Sequence, residues 1–406
     1  MNFVLLCPSF WPRESAEAYC STRFASALAK AGHTVHVVAA KDKEAEKNCK
    51  YGVLLHKDVK VDFVPISKKK SLYPHLNLKW LSLRDDNSYS GDAYCKVLKD
   101  VLSRYDKPIL VTRTYPLIAL YVGWRCRKYA YKWIPHFSDP IPWYPERPVK
   151  TFLLRLWLRR AFRDSDMVSV TCSRVLRFYR ETLGACVDGR KWTLAEHIGD
   201  TKLDAIFAQG DEKTDVISEG YIVHSGDMYF GRGLEIVPAI EELNREGIGC
   251  EFIQDRMPMD TKVIRAFEGA KHCHIVTSTN DPELKVKARS AQVSLMVDFN
   301  SSREYSPFLL SKLVYQLFTD RPLVLISKID SVSYDYSNEY PEAGLFFGNI
   351  DNRKSIKEAV KKALMCDPMT FDRSKIRAHF SEDEVAKRFV GDIERLSNVQ
   401  RDLLCR

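Results

Sequence analysis

The side chains best suited to meeting an anion lie in Ser306–Ser327, SPFLLSKLVYQLFTDRPLVLIS. The spacing predicts a helix over 307–318 that opens at Ser306 and Pro307, a turn at Asp320-Arg321-Pro322, and an apolar strand. The first N–H groups of such a helix lack intrahelical partners and sit at the positive end of its dipole. A helix that starts just after a strand (Val293–Phe299) is therefore ready to hold an anion. Ser311 and Lys312 lie one turn in, and Lys312 adds a formal charge. An ordinary strand-to-helix crossover with Pro at its first position would use the same residues. A second glycine-bearing turn, Gly226–Gly233 (GDMYFGRG), offers close backbone approach at Gly226 and a guanidinium at Arg232, a group suited to bidentate phosphate recognition. Together Arg232 and Lys312 make a diphosphate clamp.

Neither turn matches a better-known phosphate loop. A dinucleotide fold needs G-x-G-x-x-G after its first strand, and Pro8–Ser15 contains no glycine. Gly226–Gly233 also lacks the G-x-x-x-x-G-K-[ST] spacing of nucleotide-hydrolysing loops.

The elements that must position these residues follow a regular pattern. Short apolar strands are expected at Asn2–Pro8, Thr34–Ala40, Val59–Ile66, Pro108–Arg113, Lys132–Phe137, Met167–Thr171 and Trp192–His197, separated by helices of ten or more residues. An acidic, apolar-poor segment at 208–219 interrupts the alternation, which restarts at Tyr221 and runs through strands near 250–255, 274–278, 293–299, 323–327 and 344–347. This predicts an α/β chain of two doubly wound Rossmann-like domains facing a central cleft: an acceptor-side domain over 1–207, a linker over 208–219, and a donor domain over 220–380. A last helix from Ser381 opens with a Ser-x-x-Glu capping box.

Composition narrows the class. The chain has 406 residues, 45% hydrophobic and 28% charged, with no apolar run long enough to span a bilayer. The N-terminus reads as a first strand rather than a signal peptide, so a cytoplasmic location is expected. Eleven scattered cysteines without a C-x-x-C pair suit reduced core thiols. His272-Cys273-His274 alternates across a strand, and Asp164-Ser165-Asp166 joins a basic helix to a strand, so no metal site is expected at either. Aromatic and basic residues mix over 124–133 without forming a stacking platform, which argues against nucleic acid.

Four stretches give the chain a family resemblance. The opening 34-residue run from CPSFWPRES to HTVHVVAA, TRTYP with PHFSDPIPWYP, YIVHSGDMYFGRGLEIVPAI and SPFLLSKLVYQLFTDRPLVL resemble segments of GT-B-fold retaining glycosyltransferases that use nucleotide-sugar donors, especially those of bacterial surface polysaccharides. The resemblance covers nearly the whole length and implies that the final helix, 381–406, crosses back to the first domain. It implies donor binding by Gly226, Arg232 (where Lys is usual), Ser306, Ser311 and Lys312. The ribose-binding carboxylate of the family falls on Tyr315 and its sugar-contacting acid on Pro307, with Glu304 nearby and Asp227 where Arg is frequent. These departures motivate an alternative, a nucleotide-sugar-binding partner without catalysis; a nucleotide-sugar epimerase is a third reading.

Within that scheme the nucleoside-diphosphate sugar is a substrate, no cofactor is needed, and Arg232, Lys312 and the helix dipole neutralise the leaving diphosphate without a metal. His136 and Asp139, just after a strand, are the catalytic candidates: His136 to hydrogen-bond the sugar or acceptor, Asp139 to orient groups or act as base. Arg13 and Glu14, in the loop after the first strand, are candidate contacts for a glycan or lipid-linked acceptor. Between Arg147 and Arg163 there are six Lys or Arg and no acid. Arg155, Arg159 and Arg163, with Arg160 alongside, recur at helical spacing among Leu, Trp and Phe, which suits peripheral contact with the anionic inner face of the cell membrane.

Overall fold

The computed structural model describes residues 1–41, 52, 54–65, 85–86, 89–142, 148–189, 191–199, 217–228, 231–276, 282–298 and 303–404. The chain divides into two compact units, Met1–Ile198 with Phe380–Arg406, and Gly199–His379. Most of the acidic segment expected as a linker, 208–216, lies outside the described residues, as do 277–278 of the strand expected over 274–278.

The first unit runs β1 (Asn2–Cys7), α1 (Ala16–Lys30), β2 (Thr34–Lys41), β3 (Lys60–Pro65), a short ladder of β4 (Asp85–Asp86) and β5 (Tyr89–Ser90), α2 (Gly91–Ser103), β6 (Ile109–Arg113), α3 (Ile118–Cys126), β7 (Lys132–Phe137), α4 (Pro148–Asp164), β8 (Val168–Val170), α5 (Ser173–Leu183) and β9 (Trp192–Leu194). Its sheet has the order β3-β2-β1-β6-β7-β8-β9, and every pairing in it is parallel. β1 and β2 are buried on both faces, as a sheet covered by helices on either side requires. Ser15 starts α1 as its N-cap, accepting from Ala18 N.

The second unit repeats the plan: β10 (Ser218–His224), α6 (Ile236–Arg245), β11 (Glu251–Gln254), α7 (Thr261–Glu268), β12 (Cys273–Ile275), α8 (Pro282–Arg289), β13 (Ala291–Val297), α9 (Ser311–Gln316), β14 (Leu323–Ser327), α10 (Val332–Glu339), β15 (Leu345–Asn349), α11 (Arg353–Met365) and α12 (Ser374–His379). Its sheet, also parallel throughout, has the order β12-β11-β10-β13-β14-β15. The strand order reverses between β1 and β6 in one sheet and between β10 and β13 in the other. The crevice at the carboxyl ends of such a strand pair is where open α/β sheets bind ligands.

The last helix, α13 (Glu382–Leu404), belongs to the first unit. Its Val385, Phe389 and Ile393 are fully buried in one core with Phe3, Phe24 and Leu28, and Arg23 pairs with Glu382 at 2.7 Å. Among the described residues, no helix is long and apolar enough to cross a membrane.

One expected element is corrected. The helix anticipated over 307–318 spans only Ser311–Gln316. Ser306 is fully buried in extended chain: its N–H donates to Asp330 O at 2.9 Å, and Tyr305 bridges to Asp330. Pro307 disfavours helical backbone at Ser306, so Ser306 offers no orphan N–H to an anion.

Candidate active site

At the reversal point of the second sheet stand residues 226–228 and 231–233, between β10 and α6. Arg232 is 8% exposed. Its Nη1 donates to Asp227 O at 3.1 Å and its Nε to Asp298 O at 3.3 Å, so the guanidinium ties together the chain leaving β10 and the chain leaving β13. Asp298 is buried and accepts from Ser327 Oγ at 2.6 Å. Gly231 and Gly233 adopt φ of 74° and 90°, the left-handed region that favours glycine, and so turn Arg232 inward.

Gly226 is a contact point rather than a hinge. A Cβ there would lie 2.6 Å from His224 Nε2 and 2.8 Å from Lys312 Nζ. The absent side chain thus lets the amine of α9 close on the end of β10, while Gln254 Nε2 holds the Gly226 carbonyl at 2.6 Å. Lys312 is half-buried. Burial, with Arg256 and Arg232 and against Asp227 and Asp255, brings its amine down to about 8. Arg256 in turn pairs with Asp227 at 3.5 Å, and burial raises the Asp255 carboxyl above its ordinary value. Arg232 and Lys312, picked from separate motifs, therefore converge on one strand end. Ser311 and Tyr315 are half-buried on α9, while Glu304 is exposed on the chain before it.

At the reversal point of the first sheet stands a network that pattern reading missed. Arg113, closing β6 and 3% exposed, donates from Nε to Glu17 Oε1 at 2.7 Å and from Nη2 to Ser138 Oγ at 2.9 Å. Glu17 sits in the first turn of α1, so the bond joins elements 96 residues apart. Burial lowers and Glu17 more than restores the Arg113 guanidinium, which ends above its ordinary value. The one sequence signal was an arginine ending an otherwise apolar strand.

His136 lies beside Arg113 on β7 but is 1% exposed. The ring stacks on Phe24 at 6.2 Å, and Nδ1 lies 2.9 Å from Ser169 Oγ. Among the described residues Nε2 has no hydrogen-bond partner. Burial, then Arg113 and His197, holds the ring neutral, well below the usual histidine range. Asp139 is exposed three residues on. Arg13 is half-buried and Glu14 exposed in the turn before α1, where Arg13 N donates to Phe10 O at 2.9 Å.

On α4, Arg155, Arg159, Arg160 and Arg163 are all exposed. Arg160 lies over the Trp124 ring at 4.0 Å and Arg163 pairs with Asp164 at 2.8 Å. Asp164 also accepts from Trp124 Nε1, and Asp166 from Trp133 N, each at 2.8 Å, so both carboxylates serve the fold. His272 Nδ1 and His274 Nε2 share the two oxygens of Glu251 at 2.9 and 2.7 Å. Among the described residues no group of three metal-ligating side chains could hold an ion.

Comparison with known proteins places this geometry within a fold. No protein-family model matches the chain, and no curated protein is similar to it. Among solved structures it is similar to sucrose-phosphate synthase from Thermosynechococcus elongatus, at 14% identity over 100% of this chain and 99% of that one, with a TM-score of 0.58. A structure titled trehalose-6-phosphate from E. coli, bound with UDP-2-fluoro glucose, aligns at 13% identity over 97% and 98%, TM-score 0.60. A UDP-forming alpha,alpha-trehalose-phosphate synthase from Burkholderia xenovorans, in complex with glucose-6-phosphate, aligns at 12% over 97% and 100%, TM-score 0.60. At these identities the likeness establishes the fold: two Rossmann-like units with parallel sheets, the GT-B class.

Proposed function

We propose that the chain is a glycosyltransferase that moves a sugar from a nucleoside-diphosphate donor to a glycan or lipid-linked acceptor. The observation that carries this is the convergence of Lys312 on Gly226 and of Arg232 on Asp227, at the strand-order reversal of the second sheet. Breaking the anomeric bond leaves a nucleoside diphosphate, and two preorganised cations in a partly desolvated site stabilise the charge that develops there. The neighbours bound with UDP-2-fluoro glucose or described as UDP-forming support starting from a uridine donor.

The carboxyl-end edge of the first sheet then serves the acceptor. Asp139 orients an acceptor hydroxyl or takes its proton, and Arg13 and Glu14 contact the glycan. His136, fully buried beside Arg113, acts on this edge from behind rather than by touching the sugar. Retention of anomeric configuration and a role in surface-polysaccharide synthesis rest on the family resemblance.

Peripheral attachment to the inner face of the membrane is supported by one face of α4. Val149, Phe152 and Leu156 are 63, 60 and 44% exposed, and Arg155, Arg159 and Arg163 are exposed on the same helix. An apolar stripe beside a basic one suits anionic headgroups.

The deciding experiment incubates the protein with UDP-glucose and other nucleotide sugars, with and without a crude lipid-linked acceptor, and follows sugar transfer and slow donor hydrolysis. Neither activity with any donor would refute the assignment. Sedimentation with anionic but not neutral vesicles tests the membrane contact separately.

A further inference from the structure

Each strand beside the reversal of the first sheet leads to a group that packing does not use up. After β1, Glu17 in the first turn of α1 takes every printed bond on one oxygen: Oε1 accepts from Arg113 Nε at 2.7 Å, and from Ser21 Oγ and Ser138 Oγ at 3.3 Å each. Among the described residues Oε2 accepts nothing, and 13% of the side chain stays exposed. Arginine–carboxylate pairs that only hold a fold together are frequently bidentate. Here Arg113 turns its Nη2 to Ser138 Oγ at 2.9 Å instead, and Oε2 is left over. After β6, two residues past Arg113, Tyr115 is 64% exposed. The chain just before it is held, because Thr114 N and Oγ1 both donate to His136 O, at 3.0 and 2.9 Å. Two extended steps span roughly 7 Å, so Tyr115 stays close to the Arg113–Glu17 pair. Tyr129 and Tyr131, also exposed, precede β7 and carry Lys128 and Lys132 over their rings at 5.2 and 5.5 Å.

Resting on the transferase assignment above, we propose that Tyr115 and Glu17 form the acceptor-sugar subsite of the first unit, and that its ligand is an uncharged hexopyranose. The tyrosine ring takes the C–H face of the sugar, an amphipathic contact to which an exposed aromatic is suited. Glu17 Oε2 accepts a hydrogen bond from one ring hydroxyl, and the pinned Oε1 sets the direction of that bond. The same carboxylate disfavours a phosphorylated sugar, since Arg113 already commits Nε to Glu17 and Nη2 to Ser138.

Ligand-observed NMR on the full chain, without nucleotide, titrates the methyl α- and β-glycopyranosides of glucose, galactose and mannose, with glucose-6-phosphate as the charged comparison. At least one methyl glycoside is expected to bind wild type and Tyr115→Phe alike, and about tenfold more weakly to Tyr115→Ala and to Glu17→Gln. Removing the hydroxyl that meets Glu17, in a series of deoxy analogues, should weaken binding to wild type but not to Glu17→Gln. A merely structural carboxylate would not produce that split. Glucose-6-phosphate should bind more weakly than the neutral glycosides. The proposal is overturned if wild type binds no glycoside, if Tyr115→Ala binds like wild type, or if glucose-6-phosphate binds more tightly. If Glu17→Gln fails to fold, the exposed Tyr115 carries no such risk, and its two variants decide alone. UDP is titrated alongside: wild type that binds a glycoside but no UDP sinks the donor-site assignment and leaves the sugar subsite standing.

Discussion

At the scale of single residues, the site depends on two cations brought to one strand end by the fold. Arg232 is fixed by two backbone carbonyls, and Lys312 reaches into the space that a side chain at Gly226 would fill. Arg232→Ala and Lys312→Ala should each weaken nucleoside-diphosphate binding by roughly 1.5–3 kcal/mol, the range for charge-assisted hydrogen bonds; calorimetry with UDP measures it, and unchanged affinity would remove the residue from the clamp. The lowered Lys312 amine has two consequences of opposite sign. UDP affinity should fall as pH rises through about 8, where the ammonium is lost. Stability of the free protein should gain from this group between about 8 and the ordinary lysine value of 10.5, because there the unfolded chain binds the additional proton. Paired binding and melting series across that range read both. His136→Ala should lower turnover more than donor affinity, and unchanged turnover would leave the ring its packing role against Phe24 and Ser169.

At the scale of elements, the short helix that carries Lys312 is held from its carbonyl end. Arg373, 5% exposed, donates to Ala343 O, Gln316 O, Thr319 O and Arg321 O, and Arg377 adds Leu317 O. Burial, with Arg377 next, brings Arg373 down to about 10, still charged at neutral pH. Arg373→Ala should therefore destabilise the second unit by about 3 kcal/mol or more, since several carbonyls lose a charged donor together; chemical denaturation checks it. This cap also shows where sequence reading stopped. The alternation of apolar strands and helices was visible along the whole chain, because burial on both faces of a parallel sheet imposes it. Gly226, Arg232 and Lys312 stood out because glycine turns and cations near helix starts are local signals. The true start of α9 was hidden, because extended backbone at Ser306 depends on Asp330, twenty-four residues further on. α10, VSYDYSNE, carries no apolar period to announce it, only its Ser331 cap. The Arg113–Glu17 bond and the Gly226–Lys312 approach join distant segments, which no spacing encodes.

At the scale of the whole molecule, the path of the chain matters more than any one contact. The first unit is closed by α13, which follows all of the second unit along the chain. Phe389→Ala, which empties a fully buried position against Phe3 and Phe24, should cost about 3–5 kcal/mol and lower the melting of the first unit. Domain-resolved hydrogen exchange would read it, with protection lost on β1 and α1 and kept on β10 and β13. While the ribosome is still extending the polypeptide, Phe3, Phe24 and Leu28 have no Phe389 or Ile393 to pack against. Newly made protein therefore leaves the exit tunnel with a greasy flank uncovered until α13 has emerged. Chaperone demand should concentrate on that interval, and it should vanish in a circularly permuted gene that encodes the closing segment first.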